Sequence, residues 1–379
     1  MPVDLDRLLR LAVEQRASDL HLKVGAPPVL RIDHQLIPMQ DEPCLSEADL
    51  DATVGLVTTE LQRRQFVQHR ELDVGYGIAG LGRFRTNLFQ QRGMAGAIFR
   101  VIPLKVETIE ELNLPPIIGK LAMEARGMVL VTGTAGSGKS TTLAAMIDHI
   151  NVNRTGHIVT IEDPIEFLHS DHRCLISQRE VGIDTESFAG ALRSALRQDP
   201  DVILVGEMRD FDTISTAIVA AETGHLVLST QHTIDAAETI NRIIAIFPPY
   251  QQKQVRLQLA SVLRGVVSMR LIPRADGSGR VPAVEVMIAT ATIREYIVDS
   301  DKTRKIAEVI AAGTSEYGMQ TFDQSIMSLY QRGLVSYEEA LKWSSNPNDF
   351  ALKVRGIESA VDQPWTPERT GSLRDRRPH

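Results

Sequence analysis

Cysteine is nearly absent: the 379-residue chain has two, Cys44 and Cys174, far apart and in no Cys-x-x-Cys pair. That count and spacing exclude a disulfide framework and a cysteine-rich zinc site, and they fit a reducing compartment. Long apolar runs are missing too. No stretch approaches the ~20 residues that a membrane-spanning helix needs. Asp4, Asp6, Arg7 and Arg10 interrupt the first leucines and break any signal-peptide core. A cytoplasmic protein without direct membrane insertion is expected, with docking on a membrane protein left open. Positive charge is not in excess: 41 Lys and Arg against 48 Asp and Glu leave a net charge of −7. Without a basic, aromatic-interleaved stripe, nucleic acid is not an expected partner. Internal repeats are absent as well.

At 43% apolar residues the chain can bury an ordinary core, and its 379 residues suit about two or three domains. The stretch around which it is organised is Gly133-Thr134-Ala135-Gly136-Ser137-Gly138-Lys139-Ser140, which matches G-x-x-x-x-G-K-[ST] at every fixed position. Residues 128–132 before it read as a buried strand. After it, 141–150 place Leu143, Met146, Ile147 and Ile150 on one helix face. Strand, glycine loop and helix make a phosphate cradle. The expected nucleotide contacts are Gly133, Thr134, Ala135, Gly136, Ser137, Gly138, Lys139, Ser140 and Thr141. Lys139 is expected to reach the β- and γ-phosphates of ATP, and the Ser140 hydroxyl to coordinate Mg²⁺.

Residues 1 to about 102 read as a small α+β domain. A helix over 3–16 leads to strands at 19–24, 29–32 and 35–39, the last two around an Asp33-His34 turn. Helix signals follow at 46–49 and 59–69. Strands at 71–78, 83–90 and 95–102 have connections short enough for an antiparallel meander. Residues 103–116 read as a linker and hinge, in which Thr108-Ile109-Glu110-Glu111 is the capping box of one short helix. From 117 to about 345, strands at 157–161, 202–205 and 226–230 alternate with helices around 188–198 and 211–221. That alternation predicts an α/β class with a mostly parallel sheet covered on both faces. A long helix is expected over 251–271, with Val255, Leu259, Val262, Leu263, Val266 and Val267 on its apolar side. Further helices are expected near 291–298, 302–311, 321–331 and 337–343. Residues 346–379, with Arg374, Arg376 and Arg377 near the end, read as a flexible tail.

A cradle alone binds nucleotide; hydrolysis also needs an acid beside the metal, a group that places water, and positive charge for the transition state. The strand at 201–205 ends in Gly206-Glu207, and an acid at the carboxyl end of a strand next to the P-loop strand faces the nucleotide crevice. Glu162-Asp163-Pro164-Ile165-Glu166 follow the strand at 157–161 into the same crevice, where one glutamate can polarise water. His225 and His232 bracket the strand at 226–230, suiting either a γ-phosphate sensor or a structural strand end. Arg83, Arg85, Arg92 and Arg100 crowd the last strands of the first domain. Arg83 and Arg85 share one face by period two, which fits a solvated edge or an arginine finger, with Arg100 as a third candidate.

Together these residues resemble the PilT-type ATPases, the retraction motors of type IV pili within the secretion-type ATPase superfamily. The resemblance spans residues 5 to about 340. It rests on Ala17-Ser18-Asp19-Leu20-His21, the phosphate loop, and the Asp box Thr160-Ile161-Glu162-Asp163-Pro164-Ile165-Glu166. It rests also on the Walker B segment Val205-Gly206-Glu207-Met208-Arg209-Asp210 and the His box, Thr223-Gly224-His225-Leu226 through His232-Thr233. It implies a RecA-like ATPase domain preceded by a PAS-like domain that packs on the neighbouring subunit of a homohexamer. It further implies an inner-membrane pilus platform protein as partner and ATP-driven retraction as the activity. Glu166 is implied to position the attacking water, and Glu207 to stand on the Mg²⁺ side.

The chain departs from the family pattern at Thr134-Ala135, where proline then threonine is usual, and at Gln231, where leucine is usual. Thr292-Ile293-Arg294-Glu295-Tyr296-Ile297 stands where retraction ATPases carry Ala-Ile-Arg-Asn-Leu-Ile; Arg294 remains, and its implied part is coupling to movement. The alternatives are a pilus-extension or type II secretion assembly ATPase, a nucleic-acid translocase, and a non-hydrolysing nucleotide-gated scaffold. Assembly relatives usually carry an extra N-terminal domain and a four-cysteine zinc site, neither of which is present in this sequence.

Overall fold

Period-two patterning builds the first sheet of the protein, seen in a computed structural model whose described residues are 3–32, 35–102 and 106–356. Helix α1 (Leu5–Glu14) is capped by Asp4 and buries Leu5, Leu8, Leu9 and Ala12. Strands β1 (Asp19–Lys23), β2 (Val29–Ile32) and β3 (Gln35–Pro38) follow. Helices α2 (Glu47–Val57) and α3 (Glu60–His69) each begin on a capping box, Ser46 with Asp49 and Thr59 with Gln62. Strands β4 (Glu71–Ile78), β5 (Gly82–Gln91) and β6 (Met94–Ile102) form the expected meander. All six strands join in one antiparallel sheet, ordered β3-β2-β1-β6-β5-β4. Along β5, Phe84, Thr86 and Leu88 enter the core, which leaves Arg83, Arg85 and Asn87 on the opposite, partly open face. The Asp33-His34 turn lies outside the described residues.

The second sheet is ordered β13-β12-β7-β11-β10-β8-β9. Its elements are α4 (Ile117–Ala122), β7 (Gly127–Thr132), α5 (Lys139–Asn153), β8 (Gly156–Glu162) and β9 (Cys174–Glu180). Then come α6 (Phe188–Ala195), β10 (Val202–Val205), α7 (Phe211–Glu222), β11 (Leu226–Gln231), α8 (Ala236–Ala245) and α9 (Pro249–Val262). Strands β12 (Leu263–Pro273) and β13 (Arg280–Ile288) complete it. Six strands run parallel and β13 alone is antiparallel, so both faces need cover. Val129, Val131, Leu226 and Leu228 pack with α4 and α5 on one face. Met128, Leu130, Ile203 and Val227 pack with α6 to α9 on the other. Helices α10 (Ala291–Val298), α11 (Ile306–Ala312), α12 (Thr314–Tyr317), α13 (Phe322–Gln331), α14 (Tyr337–Trp343) and α15 (Pro347–Val354) follow. Among the described residues no helix is long and apolar enough to cross a membrane.

Three expectations need correcting. The helix expected to run to 271 stops at Val262, and Leu263–Pro273 is instead the strand that flanks β7. Because β12 is buried on both faces, Leu263, Val266 and Val267 form a nearly continuous apolar run that also satisfies helical spacing. The capping box at Thr108 forms, with Thr108 N–H donating to Glu111 Oε2 at 2.8 Å, but it closes a turn, and helix α4 starts only after Pro115 and Pro116. The order expected to end at 345 continues into α15, whose Phe350 is buried against Ile272, Phe322 and Ile326. The arginines at 374–377 lie outside the described residues.

Candidate nucleotide site

Strand β7 delivers the chain to the phosphate loop. Gly133 sits at φ +144°, and a Cβ there would lie 2.6 Å from the Met269 carbonyl of β12; Gly138, at φ +97°, caps α5. Both conformations favour glycine. Helix α5 therefore opens directly on the loop with N–H groups unpaired by the helix, which makes an anion site. Lys139 Nζ donates to Gly133 O at 2.8 Å and Thr134 O at 2.9 Å, folding its charge over the loop. Burial pushes the Lys139 pKa down, while Glu166 and Glu207 pull it up.

A cavity of about 780 Å³ opens above this loop, between the two domains. The ATPase domain lines it with Gly138, Lys139, Ser140, Thr141, Glu166, Glu207 and His232; the first domain contributes Arg85 and Arg100. Most of the expected site is thus brought together. Arg85 Nη1 stands 3.7 Å from Glu166 Oε1. Glu207 pairs with Arg209 Nε at 2.8 Å and faces His232 Nε2 at 3.6 Å. Burial, helped by the Lys139 charge, lowers the His232 pKa against the pull of Glu207, so the imidazole is neutral at pH 7. A second cavity, about 460 Å³, adjoins the outer side of the loop beside Arg280, Lys342 and Trp343.

The acids are set by their neighbours. Glu207 arrives from one strand further away than expected, because β11 lies between β7 and β10. Ser229 Oγ donates to Val205 O and Thr230 Oγ1 to Gly206 O, both at 2.6 Å, and Gln231 Nε2 donates to Met208 O. Gln231 thereby makes a bond that leucine cannot. Glu162 accepts from Thr160 Oγ1 at 2.7 Å and Gln178 Nε2 at 3.2 Å, and burial pushes its pKa up against those bonds. Asp19, within the Ala17–His21 run, accepts from Arg100 Nε at 3.0 Å and holds that arginine beside the cleft.

Ser140 and Glu207 offer a hydroxyl and a carboxylate on one wall of the cleft, hard oxygen donors suited to Mg²⁺. Among the described residues no group of three or more His, Cys, Asp or Glu is placed to hold a metal. A Mg²⁺ bound there would share its shell with phosphate oxygens and water, as is usual for nucleotide sites.

Of the expected residues outside the phosphate loop, Arg83, His225 and Arg294 stand elsewhere, and so does Arg92. Arg83 does not line the cleft; its Nη2 donates to Glu180 Oε2 at the end of β9. Arg92 is exposed beside the β5–β6 turn. His225 precedes β11 at the sheet edge opposite the phosphate loop, where its Nδ1 lies 2.9 Å from Ala220 O. Arg294 is exposed on α10, which begins just past Ile288, the partner of Gly265, at that same far edge. Sequence reasoning passed over β9 and with it Gln178 and Glu180. The signal was faint: only Leu175 and Ile176 mark that strand among polar residues.

Comparison with known proteins gives the family. The model of the Type II/IV secretion system protein family matches residues 108–332. The type IV pilus retraction ATPase PilT of Pseudomonas aeruginosa is 46% identical over 348 residues, covering 92% of this chain and 100% of the relative. The type IV pilus ATPase PilU of the same organism is 41% identical over 361 residues, covering 95% of this chain and 94% of PilU. A crystal structure of the pilus retraction motor PilT with bound ADP superposes with a TM-score of 0.84 at 43% identity, over 91% of this chain and 98% of that one. A phosphate loop, two acids and trans-domain arginines around one cleft, together with these matches, place the chain in the Type II/IV secretion system protein family, among its PilT-like ATPases.

Proposed function

We propose that the chain is a homohexameric motor that hydrolyses ATP to retract type IV pili and so drives twitching motility. It works from the cytoplasmic side of the inner membrane through a pilus platform protein. The observation that carries this reading is the cleft in which Lys139, Glu166 and Glu207 meet Arg85 and Arg100 from the other domain. Identity of 46% over 92% of this chain and the whole of the retraction ATPase PilT supports retraction over assembly.

Each residue has a task. The loop N–H groups hold the phosphates, and Lys139 exchanges its two carbonyl partners for β- and γ-phosphate oxygens. Ser140 and Glu207 would hold Mg²⁺, which would supply charge neutralisation for the phosphates. Glu166 orients the attacking water, and neutral His232 donates a hydrogen bond on the γ-phosphate side.

The arginine for the transition state is Arg85. Its pair with Glu166 is about two-fifths exposed at both ends, so breaking it costs ~1 kcal/mol or less. In the Arg83–Glu180 pair the carboxylate is buried and the arginine mostly so, and removing one partner of a buried pair costs up to roughly 3–5 kcal/mol. Arg85 is therefore free to swing to a nucleotide and Arg83 is not. A cation delivered this way is worth ~10³ or more in rate, so hydrolysis waits on domain movement.

Clean deletion of the gene, scored for surface pili and twitching, tests the reading. Excess pili without movement are expected. Loss of pili would make the chain an assembly motor instead.

A further inference from the structure

The face of β9 that meets the Asp box and the segment just after it makes four contacts there. Gln178 Nε2 donates to Phe167 O at 2.8 Å and to Glu162 Oε1 at 3.2 Å, and Gln178 Oε1 accepts from His169 N–H at 2.9 Å. Two residues on, Glu180 Oε2 accepts from Ile165 N–H at 3.2 Å. Glu166 lies between the anchored residues 165 and 167, in a loop with no regular secondary structure of its own, and its own N–H donates to Glu162 Oε2 at 3.4 Å. Without such anchors a loop of this kind samples many conformations, and a misplacement of ~1 Å at a reacting group can cost 10²-fold in rate.

The same Glu180 oxygen also takes Arg83, and the Glu180 side chain is only 4% exposed. Arg83 and Arg85, neighbours on one face of β5, thus meet Glu180 and Glu166 as two rungs across the domain boundary. One rung is buried and strong, the other open and weak.

We propose that Gln178 and Glu180 are positioning residues that set Glu166 for catalysis, and that Arg83 reports the orientation of the first domain to them through its ion pair. This rests on the reading of Glu166 as the water-placing group. When the domains are apposed, Arg83 fixes Glu180, Glu180 fixes Ile165, and Glu166 points into the cleft. When the first domain swings away, the buried carboxylate loses its cation and the loop loses an anchor. Hydrolysis then becomes conditional on domain position even before Arg85 reaches the phosphates.

The experiment uses the full-length protein and ATP, with Glu180→Gln, Gln178→Leu, Arg83→Met and the Arg83→Met/Glu180→Gln double variant. The expectation is a kcat roughly tenfold or more lower in each single variant with KM nearly unchanged, because the loop is displaced while the phosphate cradle is not. The double variant should be no slower than the worse single one, since both act through one contact. Amide exchange at residues 165–169 should rise in all four and stay parental in α5. Multiplying losses in the double variant, or parental exchange at 165–169, would overturn the proposal. A Glu166→Gln control with parental kcat would refute the role of Glu166, yet the exchange result would still decide whether β9 anchors the loop.

Discussion

Arg85 Nη1 and Glu166 Oε1 face each other at 3.7 Å across the boundary between the two domains, so the cation and the carboxylate screen one another. Removing Arg85 should therefore leave binding intact and damage chemistry. Arg85→Ala is expected to bind ATP within a few-fold of the parent and to lose ~10²- to 10³-fold in kcat. Nucleotide titration and single-turnover hydrolysis measure the two separately; an equal loss in both would remove Arg85 from the transition state. Mixing Arg85→Ala with Lys139→Ala protein then asks whether the arginine acts between subunits, in which case shared rings recover activity.

The two acids should divide binding from catalysis. Glu166→Gln is expected to retain ATP and slow hydrolysis by about 10²-fold or more, the usual loss when a water-orienting base is removed. Glu207→Gln is expected to weaken the Mg²⁺ dependence of binding as well. Parental turnover in Glu166→Gln alongside a silent Glu207→Gln would reverse these assignments.

Glu285 gives a test by pH. It lies buried on β13, accepts from Ala236 N–H at 3.0 Å, and burial raises its pKa to about 7. Asp235 and Asp323 push the same way, and Arg270 opposes them. A carboxyl whose folded pKa is raised stabilises the fold fully below its unfolded pKa, and that contribution is lost as pH climbs through about 7. Glu285→Gln keeps an acceptor for Ala236 and carries no charge. It should be more stable than the parent at pH 8 by on the order of 2 kcal/mol, with the gap closing by about pH 4. Urea unfolding at the two pH values measures this; a pH-independent gap would contradict it.

Arg294 is proposed to serve force transmission rather than catalysis. It stands exposed at the sheet edge opposite the phosphate loop, close enough to Arg264 to lower the pKa of that residue after burial has done so. Arg294→Ala is expected to keep its assembly state and basal ATPase within about twofold, as exposed substitutions remote from the site do, while pilus retraction in cells fails. Light scattering, turnover and twitching assays report the three; loss of assembly would make α10 a structural helix only.

Much of this was legible in the sequence where one physical constraint acts alone. The phosphate loop needs glycine at positions that other residues strain, and Gly133 and Gly138 mark it. The helix signal at Ser46 marked one helix start, where Ser46 and Asp49 do form a capping box. Legibility failed where two constraints give one pattern. Val266 and Val267 suit a helix face or a strand buried on both sides, and only their place beside β7 separates the two. Glu180 was invisible for another reason. Its partners Arg83 and Ile165 are 97 and 15 residues away, and no local spacing encodes an ion pair between domains.

Steady-state ATP hydrolysis by Lys139→Ala tests the central claim most directly. In the proposed mechanism Lys139 leaves Gly133 and Thr134 for the β- and γ-phosphates, and among the described residues no second lysine lines the cleft to replace it. The account predicts a folded protein with weakened nucleotide binding, turnover at background, and no pilus retraction. Turnover near the parental rate would contradict the nucleotide site, and with it the motor.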